Sequence, residues 1–267
     1  MTVRQYQKKE ALLKVSNVSL RYDCLVLRDI SFEIDDIIRE GVTQGQIVSL
    51  IGRSGIGKTC LFRILAGLIK PTTGTVLIDH DQHPVRAGDV GVVYQNYILF
   101  NHRTIYDNLR ISLERSQTPP GGSIDAVIKE YAAEFSLTEH LKKYPQQLSG
   151  GQRQRVSIIQ QVLNGNRFVL LDEPFSGLDA IMVDKVKQLL VKIANMHEDN
   201  TFVIVSHNID HSLAISDSAF IIAKEEGKEG AVVKESINLI DMGFAWDPDV
   251  IRQQEFIDFC ASIKDKI

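Results

Sequence analysis

Apolar positions along the chain follow two patterns. Between Leu12 and Ile34 they come in short sets: Val15, Val18, Leu20 and Tyr22, then Leu25 to Leu27, then Ile30, Phe32 and Ile34, the last at period two. Such sets predict short strands in an antiparallel opening. Farther on the runs become continuous, at Gln46 to Ile51, Gly91 to Tyr94, Phe168 to Leu171 and Thr201 to Val205. Segments with helical periodicity separate them, and this alternation predicts buried parallel strands in an α/β sheet.

The region between the second and third runs reads differently. A breaker cluster, Thr118-Pro-Pro-Gly-Gly-Ser123, leads into Ile124, Val127, Ile128, Tyr131 and Phe135 at helical spacing, with Ser123 placed as an N-cap. Roughly Asn96 to Leu163 is therefore expected to be a helical lobe inserted into the α/β core, the apolar stripe serving as packing. The expected organisation is a main domain over residues 1–240 and a tail over 241–267. In the tail, Trp246 and the apolar positions Val250, Ile251, Phe256, Ile257 and Phe259 read as a packing helix.

Composition narrows the class. The 267 residues are 44% hydrophobic and 24% charged, which suits a globular protein with a sizeable core. Three cysteines, Cys24, Cys60 and Cys260, lie far apart and argue against a disulfide framework or a cysteine-rich zinc site, so a reducing cytoplasm is expected. Thirty basic against thirty-four acidic residues give a formal charge of -4, and no general field for holding a nucleic acid. Met1 to Glu10 lacks the apolar core of a secretory signal, and no apolar run approaches the ~18 residues needed to span a bilayer.

Candidate chemistry starts at Gly52-Arg-Ser-Gly-Ile-Gly-Lys58-Thr59, which follows an apolar strand and precedes the helical pattern Leu61, Phe62, Leu65 and Leu68. In a strand, glycine loop and helix, backbone N–H groups curl around phosphate oxygens and the helix start adds partial positive charge. Lys58 then reaches the β and γ phosphates, and the Thr59 hydroxyl is placed to ligate Mg²⁺. Phe168-Val-Leu-Leu-Asp172-Glu173 delivers two carboxylates to the end of a second strand, the end at which open α/β sheets bind ligands. Asp172 is the candidate metal holder, and Glu173 the candidate base for a water attacking the γ-phosphate. Two more runs end in polar groups, Gln95 and His207. Alone, such residues are ordinarily structural, but convergence with the glycine loop gives them a role: Gln95 at the metal or the water, His207 at the γ-phosphate. Leu148-Ser149-Gly150-Gly151-Gln152 opens the amphipathic stretch Arg153 to Leu163, a second anion cradle at a helix start. That cradle sits on the helical lobe, which poses the question of how one chain closes its own site.

In order and spacing these motifs resemble those of the ATP-binding cassette ATPases, over roughly Leu13 to Ile222. The resemblance implies that Gly52, Arg53, Ser54, Gly55, Ile56, Gly57, Lys58 and Thr59 are the Walker A loop, with Cys60 continuing the nucleotide contacts. It implies that Gln95 is the Q-loop glutamine and that Leu148 to Gln152 is the signature. Phe168 to Asp172 becomes the Walker B strand, Glu173 the catalytic carboxylate, Ser176-Gly-Leu-Asp179 the D-loop and His207 the switch histidine. Tyr22 matches the family's adenine-stacking aromatic, with a core-packed strand aromatic as the competing reading. Cassettes of this family pair head to tail, each ATP lying between one subunit's Walker A loop and the partner's signature, so a second and most simply identical chain is implied. The sequence departs from the family pattern at Cys60, Gln160 and Asn208, and at Ile37 to Thr43, which reads as an insertion.

What the resemblance implies is an ATP- and Mg²⁺-dependent subunit on the cytoplasmic face of a membrane. Transmembrane permease subunits and a solute-binding protein are the implied partners, and Tyr97 and Phe100 stand near the groove for the permease, with core packing as the competing reading of both rings. The short spacing from Val76-Leu-Ile-Asp79 to Gln95 is similar to that in cassettes of small-anion and sulfonate importers. Two other readings stay open: a soluble ATPase of an assembly machine such as iron–sulfur cluster assembly, and a nucleotide sensor without turnover. The histidines other than His207, namely His80, His83, His102, His140, His197 and His211, show no ligand spacing and are expected at the surface.

Overall fold

The computed structural model describes residues 6–39, 44–116 and 121–267. Its strands, in chain order, are β1 (Gln7–Arg21), β2 (Leu25–Ile38), β3 (Gln46–Ile51), β4 (Thr73–Ile78), β5 (His83–Pro84), β6 (Gly91–Val93), β7 (Phe168–Asp172), β8 (Thr201–Ser206), β9 (Ser218–Lys224) and β10 (Ala231–Asn238). Its helices are α1 (Lys58–Leu65), α2 (Ile105–Arg115), α3 (Ile124–Glu134), α4 (Gly150–Leu163), α5 (Ala180–Ala194), α6 (Ile209–Leu213) and α7 (Gln254–Lys264). All ten strands join one sheet in the order β5-β4-β1-β2-β10-β9-β3-β8-β7-β6.

The half from β9 to β6 is parallel, and the β1, β2, β4 and β5 half is antiparallel. A single parallel register pair, Ala231 with Leu27, joins the halves. Along β7 and β8 alternate residues enter two different cores. Val169, Leu171, Phe202 and Ile204 pack with the helices of the lobe, while Phe168, Leu170, Val203 and Val205 pack with α1 and the β1–β2 hairpin. Burial on both faces explains why these strands read as unbroken apolar runs.

The opening differs from the expected short strands. β1 and β2 are one long hairpin, continuous through irregularities in register near Asn17 and Asp29, which hold φ of 50° and 45°. Cross-strand side-chain bonds bridge those irregularities: Ser31 Oγ accepts from Asn17 N at 2.8 Å, and Ser19 Oγ donates to Asp29 Oδ1 at 3.1 Å. Of the expected insertion, Ile37 and Ile38 end β2 and Arg39 follows it, while residues 40–43 lie outside the described residues.

Helix starts follow the capping chemistry of the sequence. Thr104, Ser123, Ser149, Asp179 and Asn208 each accept a backbone N–H through the side chain at the start of α2, α3, α4, α5 and α6. The tail breaks the single amphipathic run expected of it. A 3₁₀ turn over Val250–Arg252 precedes α7, whose buried side is Phe256, Cys260 and Ile263, while Ile257 is 46% exposed. This side packs on Ile209 and Leu213 of α6 and Ile221 of β9, so a third core lies under the tail.

Candidate functional site

Parallel strands deliver their carboxyl ends to one edge of a sheet. Here β3, β8, β7 and β6 are successive neighbours and lead into Gly52, His207, Glu173 and Gln95 respectively. Backbone bonds tie three of these ends together: Gly52 N donates to Ser206 O at 3.3 Å, and Glu173 N to Val205 O at 2.8 Å.

The glycine loop curls between β3 and α1. Gly57 holds φ of 113°, and a Cβ there would stand 3.0 Å from Val26 Cγ1 and 3.1 Å from Leu27 Cδ2. Glycine thus supplies both the left-handed turn and the close approach to β2. Lys58, 6% exposed, folds back over the loop and donates to Gly52 O at 2.8 Å and Arg53 O at 3.1 Å. Burial lowers its pKa, against which Glu173 and then Asp172 pull upward. Thr59 stands exposed at the helix start, with Arg53, Ser54 and Gly55 exposed at the tip of the loop and Ile56 half-buried against the core beneath. Cys60 is half-buried against that same core, so its sulfur lines packing.

Glu173 is the hub of the site. Its Oε1 lies 3.6 Å from Lys58 Nζ and 2.9 Å from His207 Nδ1, while Oε2 accepts from Ser206 Oγ at 3.0 Å and from His207 N at 3.3 Å. The residue holds φ of 48°, a left-handed conformation that costs a non-glycine residue about 1–3 kcal/mol and is retained where surrounding bonds fix it. Asp172, next to it, has its pKa raised by burial first and by the Glu173 charge second, with Lys58 and Arg63 opposing. The Asp172 carboxyl, the exposed Thr59 hydroxyl and the Gln95 amide carry hard oxygen donors of the kind that suits Mg²⁺. Thr59, Asp172 and Gln95 are the residues that would hold it.

Gln95 Nε2 donates to Ser176 Oγ at 3.1 Å, joining the end of β6 to the segment after the acid pair. Asp179 N-caps α5 by accepting from Met182 N at 2.9 Å. Ser149 and Gln152 form a reciprocal capping box at the start of α4, and that helix is fastened to the acid-pair segment through Gln154, whose Nε2 donates to Pro174 O at 2.8 Å. Gly151 faces Met182, whose Cε would be 2.3 Å from an added Cβ, and Gly150 has open space around its Cα. Among the described residues, no hydrogen bond or ion pair joins 149–152 to the loop 52–59, so the two cradles are separately anchored.

Tyr22 is 60% exposed in the turn between β1 and β2, which removes the core-packed reading of its ring. Its turn leads into Val26, the neighbour of Gly57. Tyr97 is half-buried against the lobe core, where burial pushes its phenol up to about 12, and Phe100 is exposed. Gln160 is buried and donates to Asn108 O at 3.0 Å, a bond between α4 and α2.

His80 and His102 are exposed as expected, His83 and His197 keep side chains 34% and 43% exposed, and His140 and His211 are drawn into packing contacts. Gln152 Nε2 donates to His140 Nε2 at 2.9 Å, and the His211 ring stands 6.2 Å from Phe175, edge on. Burial lowers the pKa of His211. His197 Nδ1 accepts from Asp199 N at 3.3 Å. His83 bridges Asp81 and Asp89 at 2.8 and 3.3 Å, and the donor atoms of Asp79, Asp81 and His83 lie within 4.8 Å of one another. Sequence reasoning also missed Ser206; its signal was its place directly before His207 on a strand aimed at the acid pair.

The family model described as ABC transporter matches residues 36–176. A sulfate/thiosulfate import ATP-binding protein of Pseudomonas aeruginosa is 34% identical over 220 residues, covering 79% of this chain and 64% of its own length. A spermidine/putrescine import ATP-binding protein of Spiroplasma citri is 32% identical over 254 residues, or 92% of this chain and 70% of its own. Against a third such protein, from Protochlamydia amoebophila, the chain spans 52% of the relative's length. Among solved structures, cbiO1 of Clostridium perfringens, part of the ABC transporter complex cbiONQ, is similar with a TM-score of 0.72 at 23% identity over 93% of both chains. A dimeric ATP-binding cassette in a post-hydrolysis state, bound to ADP and Pi, has a TM-score of 0.64 at 24% identity, covering 85% of this chain and 98% of that one. At such identities the likeness is one of fold.

Proposed function

Because the chain belongs to the ABC transporter family, we propose that it is the nucleotide-binding subunit of a transporter that imports a small solute, hydrolysing ATP to drive separate membrane subunits. The observation that carries this reading is the Glu173 carboxylate, held between Lys58, Ser206 and His207 at the edge where the glycine loop begins. A carboxylate so oriented takes a proton from a water approaching the terminal phosphate, and such bases contribute about 10²–10⁴-fold. Lys58 supplies charge at the β and γ phosphates, and its bonds to Gly52 O and Arg53 O fix the curl of the loop. His207, anchored by Glu173, orients the terminal phosphate. Magnesium, when bound, screens the phosphate charge; Thr59, Asp172 and Gln95 provide its oxygens.

The separate anchoring of the signature cap supports a head-to-tail pair of chains, in which Ser149, Gly150, Gly151 and Gln152 of one copy close on the phosphates held by the other. Asp179, which caps α5 through Met182, the neighbour of Gly151, meets the same interface. The relatives are import ATP-binding proteins, for sulfate/thiosulfate and for spermidine/putrescine in their own cases, which supports import. No helix among the described residues is long and apolar enough to cross a membrane, so separate permease subunits are proposed, docked at the exposed Ile98 and Phe100. Such docking places the chain on the inner face of the cell membrane, and a solute-binding protein completes an importer.

Isolation of the tagged chain from detergent-solubilised cells tests this. A multispanning membrane protein is expected to accompany it and to raise its MgATP turnover. Soluble partners alone would favour an assembly ATPase instead.

A further inference from the structure

A cavity of about 750 Å³ lies under the tail, walled by α5, the end of α6 and residues 246–252, with Arg39 at its rim. It shares no lining residue with the nucleotide site, yet three of its walls lead there. Ala180 and Asp184 belong to α5, which starts at Asp179. His211 is one helical turn beyond His207 and packs on Phe175, two residues past Glu173. Asp217 Oδ2 accepts from Ile47 N at 2.7 Å, on the strand that ends in the glycine loop.

Most charge around this cavity is already matched. Asp184 pairs with Lys187 at 2.7 Å and Asp249 with Arg252 at 3.0 Å. Asp247 accepts from Asp249 N and from Gln253 Nε2. The Arg39 guanidinium lies 3.9 Å over the Trp246 ring and donates to Gln44 Oε1. Asp217 differs from these acids in being buried, at 3% exposure. Burial pushes its carboxyl up to about 7, in spite of the Ile47 N–H, the Trp246 indole and the Arg39 charge. His211 shares the cavity as a ring that burial keeps toward neutrality, and its Nδ1 is buried without a hydrogen-bond partner. Val191, Ala194, Ile215 and Ile251 supply apolar wall.

We propose that this cavity is a regulatory site for a small organic ammonium compound with an apolar or aromatic body. The ammonium sits at Asp217 and His211 Nδ1, where it supplies the positive charge that favours the ionised carboxyl and fills the open hydrogen-bonding position. The apolar body covers the α5 wall. An anion in the same place would meet Asp217 and Asp247, with the one remaining cation already stacked and bonded. Occupancy pulls on the Asp217 link to β3 and on the His211 contact with Phe175, and so reaches the loop and the acid pair. This coupling rests on the nucleotide-site reading, whereas the binding does not.

Trp246 is the only tryptophan in the sequence, so its emission reports occupancy directly. The test is a titration with phenethylammonium, followed by Trp246 emission and by calorimetry, beside its neutral and anionic relatives phenethyl alcohol and phenylpropionate. The ammonium is expected to saturate, with the other two about ten-fold or more weaker. Asp217→Asn keeps an oxygen for Ile47 N and is expected to lose about ten-fold or more of the ammonium affinity. Val191→Phe, which fills the cavity from its exposed rim, is expected to abolish saturation. Absence of saturable binding, preference for the carboxylate, or unchanged affinity in Asp217→Asn overturns the site. Saturation with no change in the ATP turnover of the same active sample overturns the coupling. A chain that takes up the probe but neither binds nor hydrolyses ATP would instead locate the failure in the nucleotide reading.

Discussion

Lys58 carries its charge into a place where burial works against it, and the loop carbonyls and Glu173 offset part of that cost. Removing the side chain takes away the phosphate contact and the clasp across the loop together. Lys58→Ala is therefore expected to weaken ATP binding by about 1.5–3 kcal/mol for each charge-assisted bond lost, roughly 10- to 150-fold, as read by equilibrium nucleotide titration. Unchanged affinity would refute the assignment of the loop. Asp217 presents the opposite sign. Its pKa is raised from 3.8 to about 7, so between those values the native chain holds more protons than the unfolded one and stability falls as pH rises. The penalty is absent below the lower value and complete above the upper. From about pH 5 to about pH 8 the melting temperature of the native chain should fall relative to that of Asp217→Asn, and parallel profiles would contradict this.

The elements depend on a few positions where backbone meets backbone. Gly67 ends the turn after α1 at φ 66°, and an added Cβ would lie 2.4 Å from Arg86 C and 2.7 Å from Ala87 N. Gly67→Ala is expected to cost about 2 kcal/mol or more, measured by urea midpoint. Gly88 has a φ of 106° with nothing within 4 Å, so Gly88→Ala should cost only the backbone penalty of about 1 kcal/mol. Equal losses in the two would mean that the contact at Arg86 is not what requires glycine. At this scale the sequence was most legible where one physical cause dominates. β3, β7 and β8 read as continuous apolar runs because both faces are buried, and Ser123 reads as a cap because its oxygen meets the next turn. It was least legible where a distant partner decides. The length of the β1–β2 hairpin depends on bonds between Asn17 and Ser31 and between Ser19 and Asp29. The burial of His140 depends on Gln152, and the break at Gln253 splits a run that looks like one helix. The candidate site was legible as a set of strand ends; that Glu173 would be the atom-level hub, with Ser206 among its donors, needed the sheet order.

For the whole molecule, the parallel half of the sheet presents an acid pair, a lysine and a glycine loop on one edge, while the lobe holds its own helix start apart from them. On the proposed reading, such a chain binds nucleotide and a second copy completes the site. The departures at Cys60, Gln160 and Asn208 leave that scheme intact: the first packs, the second bonds Asn108 and the third caps α6. The most direct test compares the native chain with Glu173→Gln, measuring phosphate release at saturating MgATP and bound ATP on the same samples. If Glu173 is the base at an assembled triphosphate site, the variant keeps ATP, accumulates as a dimer and loses about 10²-fold or more of its turnover. Phosphate release as fast as that of the native chain, with ATP equally bound, would contradict it.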